Sequence, residues 1–205
     1  MGFYARRIFP FLVDYALRNE EAAACRARLV PQAHGTVLEV GIGSGLNAPL
    51  YTAQVNRVVG IDPSPALLGK ARGRLGASAA PILLACALAE SIPLAGGSID
   101  TVVMTWTLCS LREPRTGLDE IRRVLRSDGQ LLFIEHGLAP DAEVARWQRR
   151  LDPLWTRISC HLERPVDRLL EEAAFVIEAM QTSYVGGGPR MLNYLYQGRA
   201  RPALI

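Results

Sequence analysis

Lysine is almost missing from this chain of 205 residues. Lys70 stands alone among 23 basic residues, and the arginines that make up the rest are scattered among 20 acids. A net charge of +3 spread in that way describes an ordinary solvated surface, and no nucleic-acid partner is expected. Cysteine is sparse as well. Cys25, Cys86, Cys109 and Cys160 lie far apart, with no Cys-x-x-Cys pair and no zinc-type spacing. Reduced thiols, a cytoplasmic setting and no metal ligands follow as expectations. No run approaches the roughly 20 apolar residues of a membrane-spanning helix, and the first residues show no secretory cleavage pattern. Neither an internal repeat nor a low-complexity linker divides the chain. With 49% hydrophobic residues it can bury a sizeable core as one domain over 1–205.

What is present is concentrated between residues 36 and 62. Val37, Leu38 and Val40 suit a short buried parallel strand. Gly41, Gly43 and Gly45 then allow a sharp turn and close approach to a ligand. Glu39 can accept hydrogen bonds from that loop or from a cationic ligand, and Asp62 ends the next strand, where a carboxylate can hold ribose hydroxyls. Pyrophosphate cofactors use Gly-x-Gly-x-x-Gly, whose helix N-terminus receives phosphate. The spacing here is Gly-x-Gly-x-Gly with an acid two residues ahead, which better fits a phosphate-free cofactor carrying an amino group.

Four segments in this order resemble the class I S-adenosylmethionine-dependent methyltransferases: Leu38 to Gly45, Gly60 to Ser64, Ser98 to Val103, and Arg123 to Leu131. The resemblance implies S-adenosylmethionine contacts at Glu39, Gly41, Gly43, Gly45, Asn47, Asp62, Pro63 and Thr105. Many relatives carry Asp-Ala after strand three; here Leu88, Ala89 and Glu90 stand at the adenine edge, with backbone contacts from the first two. The expected fold is α/β, a Rossmann-like doubly wound, seven-stranded, mostly parallel sheet. Strands are expected at 36–40, 57–61, 82–85, 99–105, 130–135, 175–180 and 190–197. Glu39, Asp62, Thr105 and Glu135 should then ring one crevice at the strand ends.

The cofactor core is expected over 33–136, followed by a substrate-side insertion at 137–164 and the C-terminal part of the core at 165–205. Residues 1–32 read as an N-terminal helical lid, with core packing and a weak peripheral membrane contact as alternatives. In the insertion, Trp147 and Trp155 can wall an apolar pocket or simply anchor the segment.

A second set, Thr107 to Ser110, Glu135-His136, Trp147-Gln148, Leu151 to Trp155 and Cys160 to Arg164, is similar to the methyltransferase-like group that includes alkyl thiol methyltransferases. Relatives there have an N-terminal membrane anchor, which this chain is expected to lack or to have reduced to a helix at 3–18. The resemblance implies methyl transfer to a small apolar acceptor, foremost a thiol sulfur. N-methylation of an amine or phospholipid head group and methylation of a quinol are the alternatives, and a cofactor-binding sensor or regulatory subunit is the non-enzymatic one.

His136 is the candidate base, since an imidazole with a pKa of about 6.5 suits neutral pH. Asp152 can orient it or attract a cation, and Cys109 lines the pocket. Cys160-His161 with Cys109 and His136 also raises a metal or metalloid reading, such as arsenic or mercury. Sequence separation leaves a spatial cluster open, but no local spacing supports one, and no metal ligand is assigned.

Overall fold

Val37 to Val40 are all buried, as a strand covered on both faces requires, and they form the end of the central strand β1, Gly35–Val40. The computed structural model describes residues 17–156, 160–186 and 188–203. Around β1 are arranged β2 (Val55–Ile61), β3 (Ile82–Ala85), β4 (Ile99–Thr105), β5 (Leu125–His136), β6 (Phe175–Tyr184) and β7 (Tyr194–Pro202). The sheet order is β3-β2-β1-β4-β5-β7-β6. β7 runs antiparallel to both of its neighbours, and the other pairs are parallel. This is the expected seven-stranded Rossmann-like sheet. Strand order reverses beside β1, which opens a crevice at the carboxyl ends of β1, β2 and β4.

Alternation along the strands divides the core into two layers. Leu38, Val40, Val102, Met104, Leu131 and Phe133 face one way and pack with Leu118, Ile121 and Val124 of α3 (Pro114–Val124) and with Val166 and Leu170 of α5 (Val166–Glu172). Val37, Val58, Val103, Leu132 and Ile134 face the other way, against Cys25 and Leu29 of α1 (Glu20–Leu29) and against Tyr51. In α3, Pro114 presets the first turn, and apolar residues three apart make one stripe. α2 (Pro65–Arg72) begins at Ser64, whose side chain accepts the amide of Leu67, and α4 (Ala142–Trp155) occupies the insertion.

The described part of the N-terminal segment, α1, packs on the sheet, capped by Asn19 accepting from the amide of Ala22. The helix expected at 3–18 lies outside the described residues apart from its last two positions. The final strand begins at Tyr194 rather than 190, because Arg190–Leu192 form a 3₁₀ turn after Pro189. β5 begins at Leu125 rather than 130, since Leu125 already pairs with Ile99 before the register shifts.

Leu118 is fully enclosed whereas Leu83 on edge strand β3 is 64% exposed. Leu118→Ala is expected to lower unfolding free energy by about 2–5 kcal/mol, and Leu83→Ala by no more than about 0.5 kcal/mol. Urea unfolding of the two variants checks the contrast.

Candidate active site

The glycine loop leaves β1 with positive φ at Gly41, Gly43 and Gly45. Packing accounts for two of them. A Cβ on Gly41 would lie 2.2 Å from Thr107 Oγ1, and one on Gly45 would lie 3.2 Å from the backbone of Ala71 in α2. At Gly43 the nearest atom would be the Gly41 carbonyl at 3.8 Å, so the space there is open. Asp62, at the end of β2, holds this loop. Its Oδ2 accepts from the amide of Gly43 at 3.0 Å and its Oδ1 from that of Ser64 at 2.8 Å. Burial raises its pKa, and the two backbone bonds oppose the rise.

Glu39 points into the layer shared with α1. Its oxygens accept from Asn47 Nδ2 at 2.9 Å and Tyr51 Oη at 2.6 Å, so the loop, not solvent, uses this carboxylate. Burial pushes its pKa up to about 7, opposed by those two bonds and by Arg26. Asn47 Nδ2 also reaches Thr105 Oγ1 at 3.2 Å. Asn47 Oδ1 is buried with no hydrogen-bond partner among the described residues, an acceptor suited to a donor brought by a ligand. At the expected adenine edge Leu88 is 54% exposed, Ala89 is buried, and Glu90 accepts from the amide of Glu113 just before α3. Pro63 is exposed, and its carbonyl accepts from the Cys86 thiol.

On the other side of the crevice Glu135 is fully buried. It accepts from the amides of Thr107 at 2.8 Å and Cys109 at 3.3 Å, shaping the loop after β4, and burial raises its pKa to about 7. Trp106 begins that loop with φ +52° and meets the His136 ring edge-on, with centroids 6.3 Å apart.

Asp152 does not orient His136. It sits inside α4 on the buried stripe Val144, Gln148, Asp152, and its oxygens take His161 Nδ1 at 2.9 Å and the amide of Leu162 at 2.6 Å. Nor does Trp147 falls outside that stripe, is 46% exposed, and lines a hollow at the surface with Glu143, Val144, Arg190 and Met191. Trp155 is half-buried in the last turn of α4.

The fold gathers what the sequence separates. Cys109, His136 and Cys160 come from three segments, yet their Sγ and ring nitrogen atoms all lie within 4.8 Å of one another. The amide of His161 bonds the Cys109 carbonyl at 2.8 Å, locking the returning segment onto the β4 loop. A hydrogen bond with Cys160, and then burial, push the Cys109 thiol up. Arg164 is buried beside them, with one nitrogen on the Leu111 carbonyl and Nη1 without a partner among the described residues. Sequence reading assigned no role to Trp106 or Arg164 and named His161 only in the metal reading, whereas its Nδ1 pairs with Asp152; for Trp106 the available signal was its position immediately after a strand.

A family model described as a methyltransferase domain matches residues 38–133, the segment that carries this crevice. Thiol S-methyltransferase TMT1A of Homo sapiens is 33% identical over 187 residues, covering 83% of this chain and 76% of that protein. The chain is a class I S-adenosylmethionine-dependent methyltransferase. Thiol S-methyltransferase TMT1B of Rattus norvegicus is 36% identical over 146 residues, 68% of this chain and 59% of that protein. The chain thus spans less than two thirds of that relative. A phosphatidylethanolamine N-methyltransferase of Cereibacter sphaeroides is 29% identical over 86% of this chain and 84% of its own length. Among solved structures, an S-adenosylmethionine-dependent methyltransferase from Methanosarcina mazei superposes with TM-score 0.66 at 19% identity, covering 85% of this chain and 95% of its own. The [4+2]-cyclase SpnF does so with TM-score 0.69 at 18% identity, over 89% and 80%. The same fold therefore hosts other chemistry.

The methyltransferase's residues fit S-adenosylmethionine. Open space at Gly43 admits it, Asp62 holds the glycine loop at the end of β2, and the unclaimed Asn47 Oδ1 suits its amino group. Gly43→Val and Asp62→Ala are each expected to weaken S-adenosylmethionine binding at least about tenfold, a loss of about 1.4 kcal/mol in a calorimetric titration.

A second prediction concerns Glu39. Its folded pKa of about 7 exceeds the ordinary value of 4.5, so its contribution is fully present below pH 4.5 and lost as pH rises through about 7. The full change is on the order of 3 kcal/mol. Wild type should therefore lose stability relative to Glu39→Gln between pH 4.5 and 7, as followed by urea unfolding across that window.

Proposed function

We propose that this methyltransferase transfers a methyl group to the sulfur of a small, largely apolar thiol. The observation that carries the reading is the state of the buried carboxylates at the strand ends and in α4. Glu39 is taken by Asn47 and Tyr51, Glu135 by two loop amides, and Asp152 by His161 and Leu162. An amine or choline-like acceptor needs an uncommitted carboxylate or an aromatic cage around its cation, whereas a thiol needs position, exclusion of water and loss of its proton. The names of the TMT1A and TMT1B relatives support the same acceptor class.

S-adenosylmethionine, when bound, supplies a methyl group on a sulfonium, an electrophile for a soft nucleophile. The chain's own residues do the rest. Glu39, Asn47 and Asp62 shape the cofactor side of the crevice. Glu135 holds the loop that presents Cys109, and His136 stands at the end of β5 beside it. The acceptor's sulfur is set against this thiol and imidazole cluster, where its proton passes to water.

Methyl-labelled S-adenosylmethionine incubated with parallel panels of thiols, amines, quinols and phospholipid vesicles tests the reading. Label is expected in thioethers, and His136→Ala should cut thioether formation by about 10²-fold or more while leaving cofactor affinity within about twofold. Label confined to amines or phospholipids would replace the thiol by the acceptor class suggested by the phosphatidylethanolamine N-methyltransferase relative.

A further inference from the structure

We propose that Cys109, His136 and Cys160 form a zinc site whose open fourth position takes the acceptor thiol as thiolate. Two thiols and an imidazole are the donor set that a borderline-soft d¹⁰ cation selects, and three protein ligands with a vacant position mark catalytic rather than structural zinc.

The geometry allows it. Zinc holds thiolate sulfur at about 2.3 Å and imidazole nitrogen at about 2.0–2.1 Å, which puts tetrahedral ligand atoms about 3.4–3.8 Å apart. Here all three lie within 4.8 Å of one another, so closing the set takes shifts of about 1 Å, within the reach of side-chain torsions.

Backbone restraints keep the set together. The Cys109 amide is held by Glu135 and its carbonyl by the amide of His161, next to Cys160. His136 is placed by its pairing in β5. Among the described residues no fourth ligand joins the group, since Glu135 and Asp152 are engaged elsewhere. Cys109 is buried while His136 and Cys160 are partly exposed, so the cluster can be reached from solvent. Two thiolates neutralise the ion, and a third thiolate adds one negative charge beside the buried Arg164 guanidinium.

The role in turnover rests on the thiol reading above; the metal site does not. On binding, the acceptor's S–H bond breaks, the proton leaves to water, and the sulfur lone pair binds zinc. Transfer then forms the new S–CH₃ bond as the sulfonium C–S bond breaks. That electron pair stays on S-adenosylhomocysteine, and the neutral thioether leaves the metal with no change of oxidation state.

The test uses the whole chain, reduced and stripped with a chelator. Zinc is titrated in competition with a chromophoric chelator, and cobalt(II) is added to a second sample to read thiolate-to-metal absorption. Wild type is expected to bind one zinc per chain and Cys86→Ser to match it, while Cys109→Ser and Cys160→Ser each weaken binding at least 100-fold. Butanethiol is expected to intensify the cobalt charge-transfer band. Absence of zinc binding, wild-type affinity in either serine variant, or a Cys109–Cys160 disulfide persisting under reduction overturns the site. A cobalt spectrum blind to butanethiol overturns the acceptor role. Thioether formation that survives both serine variants overturns the metal's role in turnover while leaving the thiol reading intact, whereas zinc bound at the cluster without thioether formation leaves the metal site and removes that reading.

Discussion

A carboxylate without water around it organises the crevice. Glu135 has no exposed surface, and its oxygens are met by the amides of Thr107 and Cys109. An unpartnered charge at that depth would be costly, so the loop after β4 has little freedom to leave it. Thr107, fixed in this way, hydrogen-bonds the Val40 carbonyl at 3.1 Å and fills the space a side chain at Gly41 would need. One anchoring point thus sets both halves of the site: the thiol cluster through Cys109, and the glycine loop through Thr107.

Much of this was legible in the sequence where function depends on neighbours along the chain. A buried strand, a glycine turn and an acid at the next strand end are local patterns, and β1, its loop and Asp62 stand where they predict. The acceptor side follows another rule. Asp152 and His161 are nine residues apart, and their pairing depends on how α4 meets the returning segment, which helical periodicity does not specify. Trp147 in an insertion reads equally as pocket wall or anchor, and only the fold shows that the buried stripe of α4 runs through Val144, Gln148 and Asp152 beside it. Cys109, His136 and Cys160 carry no spacing signal, since each arrives on a different element.

Polar groups hold α4 against the chain on either side of it. Gln148, 1% exposed, accepts from the amide of Ala139 and donates to the carbonyls of Gly137 and Met191. Asp152 fastens the far end of α4, and the backbone of Arg164 bonds that of Leu138. Hydrogen bonds are directional, so this arrangement sets the angle of α4 over the strand ends more tightly than greasy contact alone would. A rigid frame of this kind suits an acceptor that contributes few directional contacts of its own.

The position of β7 bears on how the chain is made. It follows every other described strand in sequence yet lies inside the sheet, between β5 and β6, pairing Leu131 with Ala200 and His136 with Leu195. During synthesis β5 emerges long before this partner, leaving a buried-type strand with an open hydrogen-bonding edge. The sheet is completed when residues 194–202 slot into that gap, a non-local step that comes late and slowly. Until then the nascent chain exposes a pairing edge to its neighbours, and the hazard of misassembly belongs to the interval of translation rather than to the finished enzyme.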